Sequence, residues 1–274
     1  MAVEEGFLKV GGTTDLLDTT KVNQTDGTEV HREVVVQGDP ETPSAYAKVA
    51  NVMPAASAYG TVVRPIMNND AFGRVRVSDP VTLFDSQLQY DEMDLLWNEK
   101  LTTSGTFTHD ANGAFGNLNT TTTSGSETIR QSPYVRYQPG KSQFVLITFD
   151  MVESVANQRK RVGYFDANNG IYLEELDGTI RLTLRSKVTG SVVDTNTVAQ
   201  SGWEDPMDGT GPSGVTLDLT KSAIFAVDLE WLGVGVVRCG FVIDGNLHYV
   251  HTFKHANASN KTYMTTANLP VRYE

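Results

Sequence analysis

Alternating apolar and polar positions predict two β-strands, residues 171–173 and 180–185, joined by a tight turn. In the second strand, isoleucine and leucine at even positions alternate with arginine and threonine at odd positions, the period of a half-solvated antiparallel strand. We therefore expect Arg181, Thr183 and Arg185 on a solvated face. The Asp-Gly pair at 177–178 suits the left-handed backbone of a two-residue hairpin turn.

A second hairpin follows further along the chain. The strand 237–243 ends at Asp244 and Gly245, another pair favoured in tight turns, and residues 247–253 form the returning strand. Cys239 shares a face with the apolar side chains of its strand. We expect this cysteine to be a buried small hydrophobe.

Three further segments complete the pattern. Residues 143–149 are apolar on both faces, which predicts a strand buried centrally between two layers. Residues 119–126 are rich in Thr, Ser and Gly and predict a polar loop. The only helix candidate is 90–97, where four large side chains recur on one helical face.

Residues 1 to about 70 lack this patterning. One alternating run, 31–36, predicts a short strand, and four prolines within 40–65 argue against helices or central strands there. We predict an extended N-terminal tethering arm over residues 1–70, with one or two short strands, which a partner orders. Its apolar side chains are expected to be buried against other chains.

Many short strands with regular turns and almost no helix indicate the fold class. We predict an all-β protein in which residues 71–274 form an antiparallel β-sandwich, jelly-roll or concanavalin-like. With 274 residues, 39% of them hydrophobic, the chain is large enough to bury a core.

Charge and cysteine content restrict the function. The formal net charge of −11 argues against nucleic acid and anionic membranes as partners, because long-range electrostatics would repel both. Cys239 is the only cysteine, which excludes an intrachain disulfide and a cysteine zinc cage. Glu4 and Glu5 stand where a signal peptide needs cations, and no apolar run approaches the ~18 residues of a membrane span. We expect synthesis in the cytosol and no membrane span.

Eight short segments follow one another in a characteristic order: residues 72–78, 163–170, 181–186, 200–203, 217–221, 231–235, 263–264 and 269–274. Their order is more specific than any one of them. The series resembles a domain of virion structural proteins of tailed bacteriophages. The resemblance implies a concanavalin-like or jelly-roll sandwich displayed on a tail, fibre or capsid surface. Residues 25–33 are similar to segments that precede this domain in such proteins, and a continuation beyond Glu274 remains an open alternative.

Asp228 and Glu230 are the strongest candidates for catalysis. Sandwich glycoside hydrolases of the laminarinase type carry Glu-x-Asp-x-Glu on one strand, so that nucleophile and acid/base straddle the sugar bond. Here Ala226 occupies the nucleophile position. A retaining mechanism would lack its nucleophile, so we expect structural roles for both carboxylates and no enzyme activity.

No metal or cofactor is expected. His248, His251 and His255 could converge only through a bulge, because spacings of three and seven send His248 to the opposite face from the other two. Residues 166–170 resemble a calcium loop but lack its glycine and closing glutamate, so a hairpin turn is favoured. Residues 231–236 contain two glycines without the third glycine and helix start of a dinucleotide fingerprint.

Trp203 is the remaining candidate for binding. It stands beside two acidic residues in a loop and could stack on a sugar ring, although core anchoring is the favoured interpretation. The leading hypothesis is a non-enzymatic structural component of a tailed-phage virion, synthesised in the host cytoplasm. Its N-terminal arm would bind other virion proteins, and the chain would occur as a homo-oligomer. The alternative hypothesis is a module that binds a host-surface glycan.

Overall fold

The structure is a computed structural model with two compact units, Met1–Ile66 and Met67–Glu274. It describes the backbone of residues 5–9, 16–23 and 29–33, and residues 81–274 in full apart from the side chain of Thr195. The statements below concern these residues.

The first unit contains one antiparallel sheet with the strand order β1-β2-β3. Its strands are β1 (Glu5–Lys9), β2 (Leu16–Asn23) and β3 (Glu29–Glu33). The described part of this unit thus has three short strands where the sequence predicts one or two. The end of the predicted strand 31–36 lies outside the described residues. Burial of this segment against other chains stays a prediction.

The second unit is built from antiparallel strands. They are β4 (Asn98–Thr102), β5 (Thr106–Asp110), β6 (Phe115–Asn119), β7 (Glu127–Gln131), β8 (Gln143–Phe149), β9 (Arg159–Phe165), β10 (Gly170–Leu176), β11 (Thr179–Ser186), β12 (Val193–Ala199), β13 (Ala223–Leu229), β14 (Val237–Ile243), β15 (Asn246–Phe253) and β16 (Val271–Tyr273). A single 3-10 turn follows β12 at Gln200–Gly202.

These strands form two sheets and a separate hairpin. The larger sheet has the order β12-β11-β10-β9-β16-β7-β4, the smaller one has the order β15-β14-β13-β8, and β5 pairs only with β6. Buried side chains of both sheets, such as Leu182 of the larger and Phe241 of the smaller, belong to one hydrophobic core. The predicted all-β antiparallel sandwich is confirmed.

Both predicted hairpins are present. Leu176 of β10 is paired with Thr179 of β11, so the turn consists of the two residues between them, both in the left-handed region: φ is 50° at Asp177 and 77° at Gly178. The turn between β14 and β15 repeats this geometry at residues 244–245. Only glycine adopts this backbone without steric cost, which explains the Asp-Gly signal.

The helix predicted over residues 90–97 is wrong. This segment makes a single turn, in which Leu96 and Trp97 donate their backbone N–H groups to the Met93 carbonyl oxygen, and Met93 has a φ of 55°. A non-glycine residue in that region cannot continue a right-handed helix. Trp97 instead packs edge-on against Phe84.

The solvated face predicted for β11 is wrong at Thr183 and Arg185, while Arg181 is partly exposed. The strand alternates as expected, with Leu182 and Leu184 in the core, but Thr183 is only 1% exposed and Arg185 only 9%. The Thr183 hydroxyl lies 3.0 Å from that of Thr197 on β12. Both faces of the larger sheet are therefore buried at this position.

Residues 143–149 form a strand, β8, with the predicted bounds, but its predicted central position is wrong. Within residues 81–274, β8 pairs with β13 only and ends the smaller sheet. Phe144 and Leu146 are 49% and 54% exposed. Apolar residues on both faces here mark an edge strand with an uncovered outer face.

Candidate interaction site

The candidate catalytic carboxylates are built into the sandwich. Ala226 and Asp228 lie two residues apart on β13 and are both buried, and Glu230 is fully buried directly after the strand. The Tyr249 hydroxyl donates to Asp228 Oδ2 over 2.9 Å. Burial, with the neighbouring Asp228 carboxylate, raises the pKa of Tyr249 to about 12, so the phenol keeps its proton at neutral pH. Asp228 thus takes part in a hydrogen bond that joins β13 to β15 across the strand β14 between them.

The candidate metal-binding histidines do not converge, although the bulge that could bring them together exists. The register shift between β14 and β15 leaves Val250 unpaired and sets His248 opposite Phe241 and His251 opposite Cys239. His255 Nδ1 lies 2.9 Å from the Gly235 carbonyl oxygen and is hydrogen-bonded to it, and the imidazole ring stacks on the Tyr263 ring. Among the described residues, no group of three or more His, Cys, Asp or Glu side chains is placed to hold a metal ion.

The segment that resembles a calcium loop is the turn between β9 and β10. Asp166 Oδ1 accepts the backbone N–H groups of Asn168 and Asn169, each over 2.7 Å. Asn169 is buried and binds Thr265 through both its oxygen and its nitrogen. The side chains of Asp166 and Asn169 thus stabilise a hairpin turn, which is the structure that the sequence favours.

Trp203 anchors the core. It is 5% exposed, stacks on Phe241 with ring centroids 6.2 Å apart, and donates its indole N–H to the Val198 carbonyl oxygen over 3.1 Å. A ring in this position cannot stack on a sugar. The lone Cys239 is likewise fully buried, and burial raises the pKa of its thiol.

A network of arginines on the outward-facing side of the larger sheet was not predicted. Arg161 and Arg272 both pair with the Glu274 carboxylate, and all three side chains are no more than 10% exposed. Arg185 pairs with Asp194 over 2.9 Å. Burial and neighbouring arginines lower the pKa of Arg161, and lower that of Arg272 to about 10. The network is internal, and we assign it to stability.

Strand β8 combines an edge position in its sheet with exposed apolar side chains. Every second residue of an edge strand turns its N–H and C=O groups away from the sheet, where they can pair with another strand. The strand contains no charged residue, proline or glycine. Its outer face presents Phe144 and Leu146, and the following loop exposes Val152 and Val155 by more than half. An exposed, uncharged, apolar edge is a template for strand pairing.

The other terminal strands of the two sandwich sheets, within residues 81–274, are protected. β4 carries charges at Glu99 and Lys100. β12 follows an irregular register and carries the ion-paired Asp194. β15 is bulged at Val250, whose carbonyl oxygen accepts the Asp205 backbone N–H. Charges, bulges and covering loops are the devices that block edge pairing, and β8 has an unbroken register and no charge.

A groove of about 1550 Å³ runs along β8. Its other boundaries are residues 81–89, residues 114–120, residues 159–162 and Tyr164 of β9, which include three cations, and Val271, Tyr273 and Glu274 at β16. The Tyr273 hydroxyl donates to the Thr148 carbonyl oxygen over 3.1 Å and ties β8 to β16. The edge strand therefore lies beside a space large enough for an extended segment.

Comparisons with family models, with curated proteins and with solved structures give no match. In the described part of the chain, no helix is long and apolar enough to cross a membrane.

Proposed function

We propose that this chain is a non-enzymatic structural component of a tailed-phage virion, located in the tail, fibre or capsid surface. The sandwich would be the displayed domain, and the N-terminal unit would attach it to neighbouring virion proteins. The observation that carries the proposal is the edge strand β8 beside its groove, whose free side no strand of residues 81–274 covers. A permanent neighbour would keep such a strand from aggregating, whereas a freely diffusing protein gains nothing from it.

The segments that carry the resemblance support the same proposal. Residues 163–170 and 181–186 form the β9–β10 turn and strand β11, and residues 269–274 contain β16. These segments lie in one sheet, where β9 is hydrogen-bonded to both β10 and β16. Three of the eight segments therefore lie in one sheet, four lie between strands, and residues 72–78 lie outside the described residues.

We expect no glycosidase activity. Ala226 offers no nucleophile, and the nearby Asp228 is only 8% exposed and hydrogen-bonded to Tyr249. The check is hydrolysis of a panel of β-glucans and other polysaccharides by the purified chain. Turnover that disappears in Glu230→Gln would contradict a non-enzymatic role.

Glycan binding is the second candidate function. On the outer face of the smaller sheet, the 38%-exposed Tyr249 lies beside Asp228, and the guanidinium of Arg238 is 5.7 Å from its ring centre. Aromatic rings next to charged hydrogen-bonding groups are common in sugar sites. Binding to a glycan array that Tyr249→Ala abolishes would favour this function.

The proposed function predicts that the chain is present in purified particles of the virus that encodes it. Displayed virion parts occupy symmetric, repeated positions, so we expect several copies per particle. Quantitative mass spectrometry of particles purified by density gradient measures the copy number. Absence from the particle would refute the virion role, and a single copy would refute the predicted homo-oligomer or symmetric ring.

A further inference from the structure

We infer that β8 receives an extended segment of a neighbouring chain, which pairs antiparallel with residues 143–149 and adds a fifth strand to the smaller sheet. This inference rests on the proposed virion role and names the contact that the role requires. The incoming segment would be uncharged along the strand, with apolar side chains on both of its faces.

The backbone of β8 supports strand addition. The strand is seven residues long and regularly paired with β13 along its whole length, so its free edge continues a straight ladder. The pairs of the described strands are all antiparallel, and antiparallel ladders are slightly more stable per residue than parallel ones. Main-chain hydrogen bonds would provide affinity, and side-chain contacts would provide specificity.

The side chains around β8 require apolar contact on both faces of the incoming strand. On the outer face, Phe144 and Leu146 lose much of their exposed surface when a neighbouring strand places side chains beside them. On the inner face, the groove presents Val271 and Tyr273 of β16. A segment with apolar residues on only one face would leave the other contact unmade.

Charges at the two ends of the groove predict which charged residues an antiparallel segment carries at its ends. The exposed Arg136 and Lys141 precede β8, and the exposed Asp150 and Glu153 follow it, and all four line the groove. The carboxyl end of an antiparallel segment lies beside Lys141, and its amino end lies beside Asp150. We therefore expect an acidic residue at the carboxyl end of the segment and a basic residue at its amino end.

Other cations that line the groove already have partners. Arg159 pairs with Glu174 over 3.1 Å, and Lys160 donates to the carbonyl oxygens of Met151 and Glu153. They therefore attract an acidic residue of the incoming segment less strongly than Arg136 and Lys141 do.

The test uses the full chain and a short acetylated and amidated peptide of alternating valine and leucine, which is apolar on both faces, with lysine at its amino end and aspartate at its carboxyl end. We expect saturable binding by fluorescence anisotropy and, in hydrogen exchange, protection of every second amide along β8. A peptide with the two charges exchanged should bind several-fold more weakly, and proline at a central valine should abolish binding because it removes a ladder donor.

Leu146→Lys is the informative variant, because the exposed side chain tolerates lysine in the folded chain while a charge on the edge opposes pairing. We expect it to weaken peptide binding by about tenfold or more. Leu247→Lys is the matched control: it places lysine at an exposed leucine of β15, the opposite edge of the same sheet, and should leave binding unchanged.

Several outcomes would overturn the inference. Binding without amide protection along β8, or equal loss in Leu146→Lys and Leu247→Lys, would show that the peptide does not pair with this edge. Dimerisation of the chain that Leu146→Lys abolishes would show that a second copy, edge to edge, is the occupant. If the chain is present in purified particles but the peptide fails to bind, only the docking inference fails and the virion role stands.

Discussion

Glu274→Gln should lower the free energy of unfolding of the sandwich by about 3 to 5 kcal/mol. The Glu274 carboxylate pairs with both Arg161 and Arg272, and all three side chains are about nine-tenths buried. Glutamine leaves two guanidinium groups of like charge without their shared anion in a poorly solvated site. The lowered pKa values of both arginines report the same unfavourable burial.

The measurement for Glu274→Gln is urea unfolding of the full chain, followed by tryptophan fluorescence. Glu204→Gln is the control, because the Glu204–Lys254 pair has the same chemistry at 3.4 Å but side chains that are 50% and 74% exposed. Exposed pairs contribute only about 0 to 1 kcal/mol. Similar effects of the two substitutions would contradict the assignment of the arginine network to stability.

Leu182→Ala should destabilise the sandwich by about 2 to 5 kcal/mol. Leu182 is fully buried between the sheets, and the strands on both sides of β11 hold it in register. Truncation removes buried methyl groups and leaves a cavity that a close-packed core fills only in part. The same urea titration measures the change.

Thr183→Val, at the next position on β11, is the comparison for Leu182→Ala, because it changes a buried side chain without leaving a cavity. It keeps the side-chain volume but removes the hydroxyl that lies 3.0 Å from Thr197, which typically contributes about 0.5 to 1.5 kcal/mol. We therefore expect a smaller loss than in Leu182→Ala. A larger loss at Thr183 would mean that the core lies on the other face of the sheet.

Local signals made the hairpins predictable. The Asp-Gly pairs at 177–178 and 244–245 require a left-handed backbone, and this steric preference acts within the turn itself regardless of the rest of the fold. Cys239 follows from the same short-range pattern, because its face is set by alternation along β14.

Burial of the second face of the larger sheet could not be read from alternation. Thr183 and Arg185 follow the pattern of a solvated face but are buried, since alternation separates two faces without showing what covers either one. The error at β8 is the reverse case. An apolar run such as residues 143–149 is equally compatible with a central strand and with an edge that awaits a partner.

The candidate sites likewise include features that local sequence predicts and features that depend on the whole fold. The absence of a nucleophile at Ala226 is a fact of the sequence, whereas the position of His248 depended on a bulge at Val250 that no local signal announces. The arginine network could not be predicted from local sequence, because Arg161 and Glu274 are far apart in sequence and meet only across neighbouring strands.

A cryo-EM reconstruction of the particle of the virus that encodes this chain tests the central claim most directly. We expect the sandwich at several symmetry-related positions, with an extended segment of a neighbouring chain hydrogen-bonded along residues 143–149. A particle that lacks the chain would contradict the structural role, and one in which the chain is present with β8 uncovered would contradict the docking site alone.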